Sequence, residues 1–317
     1  MKRGAVLGLF AVLCFLASFA SAVAQQVTGV EHWVNNDGVK LYVWEKYEGS
    51  PSGKKVVVLA HGSATAGKES FDLQVPGKEP TYSVMDYLAK EGFDVFALDV
   101  RGFGRSTHPE THTTITQHFS DLNAVIDYIL KLRGVQKVGL LAWSYANQYG
   151  GIMVMNHPKK VERYVIYAMH HLYSPDMALR RPKLEFYQKN VYTTVPEAGW
   201  KPRFYSMTPA EASDPEVVDA YAKAAAQAEK KTPTGPNLDR LITVQPWISA
   251  KLMPVPTMII HGQYDDQADL DGNIPFFLSL PNPYKKYVVF PNGGHMGHLQ
   301  RGHDVFLREV ASWFKGP

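Results

Sequence analysis

The stretch 138–151, VGLLAWSYANQYGG, constrains the chain most. Small or apolar residues lead up to Trp143 and then Ser144, after which the pattern suits a helix. This reads as a buried strand, a sharp turn and a helix starting just behind the serine. A serine on so tight a turn brings the flanking backbones close together, which accounts for Ala142 and Ala146 on either side of it. The helix N-terminus would supply unpaired N–H groups and a partly positive end, both favourable to an oxyanion. Taken alone, the stretch also fits a buried serine that follows a core strand.

The chain begins with a different kind of segment. Lys2 and Arg3 precede an almost wholly apolar run at 5–20, and Ala22-Val23-Ala24 offers small residues where a signal peptidase reads. The run is short and no stop-transfer charges follow, so residues 1–24 are expected to be a secretory signal rather than a membrane span. Cleavage after Ala24 would remove Cys14, the one cysteine, and with it any disulfide or thiol nucleophile. The mature chain is long enough to rely on a large core. With 33 basic and 30 acidic residues and no dense basic tract, it is not expected to bind nucleic acid. No further membrane segment is expected after signal removal, and the sequence leaves the oligomeric state open.

Along the remainder, 30–33 and 39–44 are β-like runs around Asn35-Asn36-Asp37-Gly38, a hairpin signal. Residues 55–60 and 93–98 are near-continuous apolar strands, ending respectively in His61-Gly62-Ser63-Ala64 and in Asp99-Val100-Arg101-Gly102-Phe103-Gly104-Arg105-Ser106. Asp99 and Arg101 are read as structural. Helices are expected over 81–90, from Thr114 to Gly134, over 145–155 and over 303–313, and further strands over 136–142, 161–168, 255–261 and 286–290. Such alternation of buried strands and helices means an α/β domain with a mostly parallel sheet. Between 173 and 251 the alternation stops. That segment is rich in helix formers, prolines and rings, and is expected to be a small helical cap.

A serine becomes a nucleophile when a histidine lies within hydrogen-bond reach and a carboxylate orients that histidine. In an open parallel sheet these groups belong on loops after strands. Two loops qualify: Gly262-Gln263-Tyr264-Asp265-Asp266, and Pro291 through His298, which contains Gly293-Gly294-His295. Asp265 and Asp266 are both candidates for the acid, and His295 and His298 for the base.

These motifs together resemble the α/β-hydrolase superfamily, over nearly all of the chain except the cap and the leader. The loop DVRGFGRS at 99–106 is its most specific text, Ala142 to Ala146 is similar to its nucleophile elbow with alanine in place of both glycines, and His61-Gly62 is similar to its oxyanion loop. The resemblance implies an eight-stranded, mostly parallel sheet with helices on both faces, divided as core 25–172, cap 173–251 and core 252–317. It implies Ser144 as nucleophile, His295 as base and Asp265, at its spacing from Gly262, as the orienting acid. The backbone N–H groups of Ser63 and Tyr145 would form the oxyanion hole. Tyr145 could wall the acyl side while Trp143 packs beneath.

A serine nucleophile points to acyl transfer, and export makes water the acceptor. The expected activity is hydrolysis of a small-molecule carboxylic ester by a capped serine esterase, with an apolar or aromatic moiety. That moiety is suggested by cap rings Phe186, Tyr187, Tyr192, Trp200, Phe204, Tyr205 and Trp247. His170, Tyr187 and Trp200 are the pocket candidates. No arginine cluster lies beside the motifs, which disfavours a highly anionic substrate. Amide or peptide hydrolysis, with Glu185, Glu197 or Glu211 holding an amine, is the alternative; lactone or C–C bond hydrolysis and a non-catalytic binding protein follow. No spacing of acids and histidines resembles a zinc motif, so neither metal nor cofactor is expected.

Overall fold

A computed structural model describes residues 26–171, 175–205, 208–243, 246–268 and 270–317. The expected signal segment and its cleavage point lie outside the described residues. The chain opens with β1 (Val27–Asn36) and β2 (Val39–Glu48), which pair antiparallel in register from Val27↔Glu48 to Asn36↔Val39. Asp37 and Gly38 form the two-residue turn, both at positive φ, as the Asp-Gly signal requires. Then follow β3 (Val56–Ala60), α1 (Gly67–Phe71), α2 (Val84–Lys90), β4 (Asp94–Leu98), α3 (Ile115–Arg133), β5 (Val138–Trp143), α4 (Ala146–Asn156) and β6 (Val161–Tyr167).

The insertion carries α5 (Pro175–Arg180), α6 (Leu184–Lys189), β7 (Tyr192–Thr193), α7 (Glu197–Trp200), α8 (Pro215–Ala228), β8 (Thr232–Pro233) and α9 (Gly235–Ile242), with short 3₁₀ turns between them. Its two short strands pair only with each other. The core resumes with β9 (Thr257–Gly262), α10 (Leu270–Ser279), β10 (Lys285–Phe290) and α11 (His303–Lys315). The sequence pattern did not announce α1 or α10: the first is five residues long, and the second contains Pro275.

The sheet has eight strands in the order β1-β2-β4-β3-β5-β6-β9-β10. From β4 onward to β10 every neighbouring pair is parallel. The strands β3, β4, β5 and β9 are buried at every position, which is why they read as unbroken apolar runs rather than as alternating ones. Their side chains feed two cores. Val58, Ala60, Leu140 and Ala142 pack on one face with α3 and α4, while Val57, Leu59, Leu141 and Trp143 pack on the other with α2 and α11. The cap joins the second core through Trp200, Phe204, Val217 and Tyr221. Because the chain passes from β3 to β4 on one side and then to β5 on the other, the sheet reverses its winding at β3. Ligands in open α/β sheets bind beyond the strand ends at such a point.

The loop after β4 is structural, as expected. Asp99 accepts the N–H groups of Gly67 and Arg105, at 2.8 and 3.0 Å, and Arg101 pairs with buried Asp121. Breaking such a buried pair by removing one partner typically costs about 3–5 kcal/mol.

Candidate active site

Ser144 sits between the last residue of β5 and the first turn of α4 with φ at 58°. A left-handed conformation is costly for a residue with a Cβ and persists only where the surroundings impose it. Here the Ser144 N–H is tied to Tyr167 O at 2.8 Å, and the Asn147 side chain donates to both Ser144 O and Tyr167 O. Close approach is achieved by glycines outside the motif. A Cβ on Gly62 would lie 3.2 Å from the Ser144 Cβ, and one on Gly150 would lie 3.1 Å from the Ala142 methyl. The methyl at Ala142 is thus accommodated by glycine at the facing position of α4.

Beyond the serine, three loops converge. His295 Nε2 is 2.8 Å from Ser144 Oγ, and His295 Nδ1 is 3.0 Å from Asp265 Oδ1 and 3.2 Å from Oδ2. In the neutral tautomer this places Nδ1–H toward the carboxylate and the Ser144 O–H toward Nε2. Asp265 also accepts the N–H groups of Gln267 and Ala268, at 3.1 and 3.0 Å. Burial opposes its charge, but the neighbouring His295 and its hydrogen bond hold the carboxyl below the ordinary range. The Trp143 indole donates to His295 O at 3.0 Å and so fixes the histidine loop from below.

The loop after β3 closes the site. His61 is fully buried, and its Nδ1–H donates to Gly62 O at 2.7 Å while Nε2 accepts the Val100 N–H at 3.2 Å. Burial pushes its pKa down to about 3, so the ring works as a neutral brace. Tyr149 donates to His61 O at 2.8 Å. Among the described residues, neither the Ser63 nor the Tyr145 backbone N–H has an acceptor.

A small cavity lies over Ser144, lined by Gly62, Ser63, Ala64, Trp143, His170 and His295 from the core, with Gln267 and Met296 beside them. Arg180, Arg203 and Arg240 line it from the cap.

The family model described as alpha/beta hydrolase fold matches residues 55–302. The chain belongs to this family. Among solved structures, this hydrolase is similar to an esterase from Exiguobacterium antarcticum (TM-score 0.68, 19% identity, covering 90% of this chain and 100% of that one). It is also similar to a thermophilic esterase from Thermogutta terrifontis (0.67, 16%, 90% and 98%). A third is the 2-hydroxy-6-oxo-6-phenylhexa-2,4-dienoate hydrolase from Rhodococcus sp. strain RHA1 (0.64, 19%, 92% and 100%). At these identities the likeness shows the fold. No curated protein matches the chain significantly. The family fold and the Ser–His–Asp arrangement make this protein a serine hydrolase.

Within the hydrolase, several expected residues lie elsewhere. Trp200 and Tyr187 do not line the described cavity. Trp200 is fully buried, packs edge-on against Tyr221 and donates to Val195 O at 3.1 Å, so it belongs to the packing that joins the cap to the second core. Tyr187 is buried at the cap–core seam, where its carbonyl accepts from His112. The Tyr145 ring turns away from the cavity: its hydroxyl meets His118 Nδ1 at 3.0 Å and the ring packs on Tyr149. Trp143, expected beneath the site, lines the cavity. Asp266 is half-buried on the same loop, and it is Asp265 whose carboxylate meets His295. His298 is buried between Tyr167 and Ser70 O, and burial pushes its pKa down to about 3.

The arginines are the largest departure from expectation. They are separated by up to sixty positions of sequence and stand in three different elements, so no cluster was visible in the linear text. Among the described residues, no group of acids, histidines and cysteines could hold a metal, and no helix is long and apolar enough to cross a membrane.

Proposed function

We propose that this protein is an exported serine hydrolase that cleaves a small carboxylic ester through an acyl-enzyme. In this reading residues 25–172 and 252–317 form the catalytic core, and 173–251 the cap that covers it. The observation that carries the reading is the relay Ser144 Oγ to His295 to Asp265, at 2.8 and 3.0 Å, at the floor of a cavity between core and cap. Lys2, Arg3 and the apolar run that follows support export.

Ser144 Oγ attacks the ester carbon while His295 Nε2 takes its proton. The carbonyl oxygen, now negative, is received by the N–H groups of Ser63 and Tyr145, each contributing about 3 kcal/mol in the transition state. Collapse expels the alcohol, which leaves with the proton from His295. Water then repeats the sequence on the acyl-enzyme: His295 removes its proton, hydroxide adds to the carbonyl, and Ser144 leaves with that proton. Asp265, ionised throughout, holds the imidazole and stabilises its charged form.

Ester is favoured over peptide because nothing described in the cavity would hold a substrate amine: Glu185, Glu197 and Glu211 are all exposed and none lines it. Trp143, Ala64 and Met296 offer an apolar wall for the substrate's body. The names of the two similar esterases support the same chemistry.

The test is intact mass after treatment with a fluorophosphonate, for the wild type and Ser144→Ala, followed by turnover of p-nitrophenyl esters. One adduct, absent from the variant, with ester turnover is expected. A wild type that neither labels nor turns over esters sinks the reading.

A further inference from the structure

The loop that carries the Ser63 N–H is held at its two ends by different parts of the molecule. At its start the core holds it. The His61 ring accepts the Val100 N–H at 3.2 Å, and the His61 carbonyl accepts the Tyr149 hydroxyl at 2.8 Å. Gly62 then passes close against Ser144. At the other end the cap takes part. Thr65 Oγ1 lies 2.9 Å from Ser70 Oγ and 3.2 Å from the hydroxyl of Tyr221 on α8. The next residue, Ala66, donates its N–H to Glu229 Oε1 at 2.8 Å, just past the last turn of α8. Between these ends, Arg240 Nη2 of α9 donates to Ser63 Oγ at 3.3 Å.

The bonds at the far end are made out of water's reach. Thr65 and Tyr221 are fully buried and Glu229 is 1% exposed, so a bond lost there leaves its partner unsatisfied. A carboxyl is a costly group to place in such a position. Burial first, and then Asp99 and Glu69, push that of Glu229 well up, while the Ala66 and Gly104 N–H groups act the other way. A neutral acid accepts an N–H through its carbonyl oxygen, as the side chain of glutamine does. What Glu229 supplies to Ala66 is therefore an acceptor in a fixed place.

Placement is what an oxyanion donor depends on. Its N–H must stand about 2.7–3.1 Å from the developing charge, and a misplacement of about 1 Å can cost about 100-fold in rate. Only Gly62 through Thr65 lie between the pins at His61 and Ala66, so a shift at Ala66 is passed to Ser63 over a very short stretch of chain.

We infer that Glu229 and Tyr221 are positioning residues for the oxyanion hole: through Ala66 and Thr65, the cap sets where the Ser63 N–H points. Full catalysis then belongs to the arrangement in which the end of α8 is seated on this loop. What the loop does rests on the serine-hydrolase reading above; the tether rests on the bonds at Thr65 and Ala66 alone.

The first test compares wild type, Glu229→Ala, Glu229→Gln and Tyr221→Phe on p-nitrophenyl butyrate, at a temperature where circular dichroism shows each to be folded. Glu229→Ala should lower kcat by about 10- to 100-fold with KM within about threefold. Glu229→Gln, which keeps an acceptor for Ala66, should stay within about threefold of the wild type. Tyr221→Phe keeps the ring and loses one hydroxyl, and should lower kcat by about three- to tenfold; it carries the test if Glu229→Ala does not fold. A trifluoromethyl ketone separates positioning from general loosening. Ser144 Oγ adds to its carbonyl carbon, His295 takes the serine proton, and the carbonyl oxygen becomes an anion in the hole. Its affinity should fall by about the same factor as kcat/KM. Full rates in the folded variants, a change in KM alone, or a rate loss that the ketone does not share overturns the inference.

The second test needs no turnover. The Ala66 amide should exchange its hydrogen about tenfold or more faster in Glu229→Ala than in the wild type or Glu229→Gln. Unchanged exchange overturns the tether. If the wild type turns over esters and the variants match it, the positioning role falls and the hydrolase reading stands. If the wild type is inactive on esters while Ala66 is released in Glu229→Ala alone, the tether stands and the hydrolase reading falls.

Discussion

On the core side of the cavity, Gly62, Ser144 and His295 stand on tight turns just beyond strands of the central sheet, and hydrogen bonds fix each turn. On the cap side, Arg180, Arg203 and Arg240 stand on short helices and 3₁₀ turns that interact mostly with one another and with the core through α8. The difference matches the tolerance of each task. Proton transfer and attack need atoms held to within a few tenths of an ångström, which a doubly covered sheet provides. Walling a cavity needs no such precision, and an insertion of short elements can supply and exchange the wall.

Substitutions on the core side should therefore cost rate. Ser144→Ala should lower kcat by about 10⁴-fold or more, with KM little changed. A smaller loss on p-nitrophenyl esters would mean that another group attacks. Asp265→Asn should lower kcat by about 10³- to 10⁴-fold, because the imidazole loses its orienting acceptor, whereas Asp266→Asn should stay within about threefold. Equal losses at both positions would contradict the difference in their placement.

On the cap side, away from the bonds to the Ser63 loop, the expected cost is stability. Trp200→Ala empties a fully buried site and should remove about 3–5 kcal/mol, seen as a lower thermal midpoint. At a temperature where the variant remains folded, its kcat should stay within about threefold. A selective loss of kcat would return this ring to the reaction.

The smallest effect concerns the seam between the two regions. Glu229, at the end of α8, accepts the Ala66 N–H at 2.8 Å and, more weakly, that of Gly104, close to Asp99. Burial first, and then mutual repulsion with other acids, pushes the Glu229 carboxyl well up and Asp99 up to about 7. An acid whose pKa is raised by folding keeps a proton that the unfolded chain loses. Its contribution is most favourable below the ordinary carboxylate range and declines as pH rises through the raised value. Thermal midpoints should accordingly show a downward component from pH 5 to pH 8, and Glu229→Gln should flatten it by a few degrees. Parallel curves for the two proteins would show that Glu229 does not titrate across folding.

The same contrast explains what could be read from sequence. Ser144 and Asp265 are legible because each follows a strand whose burial leaves an unbroken apolar run, and Asp265 and His295 because glycine marks the turn beside each. Two limits are instructive at that site. The sequence could not separate Asp265 from Asp266, since adjacent residues on a loop differ only in direction. It also could not reveal the brace at His61, whose two ring nitrogens find partners in Gly62 and Val100, one adjacent and one distant in sequence. In the cap, direction was the missing quantity throughout. Tyr187 and Trp200 have the ring chemistry of a pocket wall, yet packing turns both inward. Arg180, Arg203 and Arg240 carry no shared period or spacing, so only folding brings them to one wall.

The backbone at Ser144 has a consequence for how this protein could change over time. A glycine at position 144 would adopt φ near 58° without the strain that any side chain brings there. The chain with glycine in that place is expected to be the sturdier molecule and to lack the hydroxyl that makes it an enzyme. Selection for durability alone would thus erode the function at its centre, and a library ranked by melting temperature should enrich inactive clones at this position before any other in the turn.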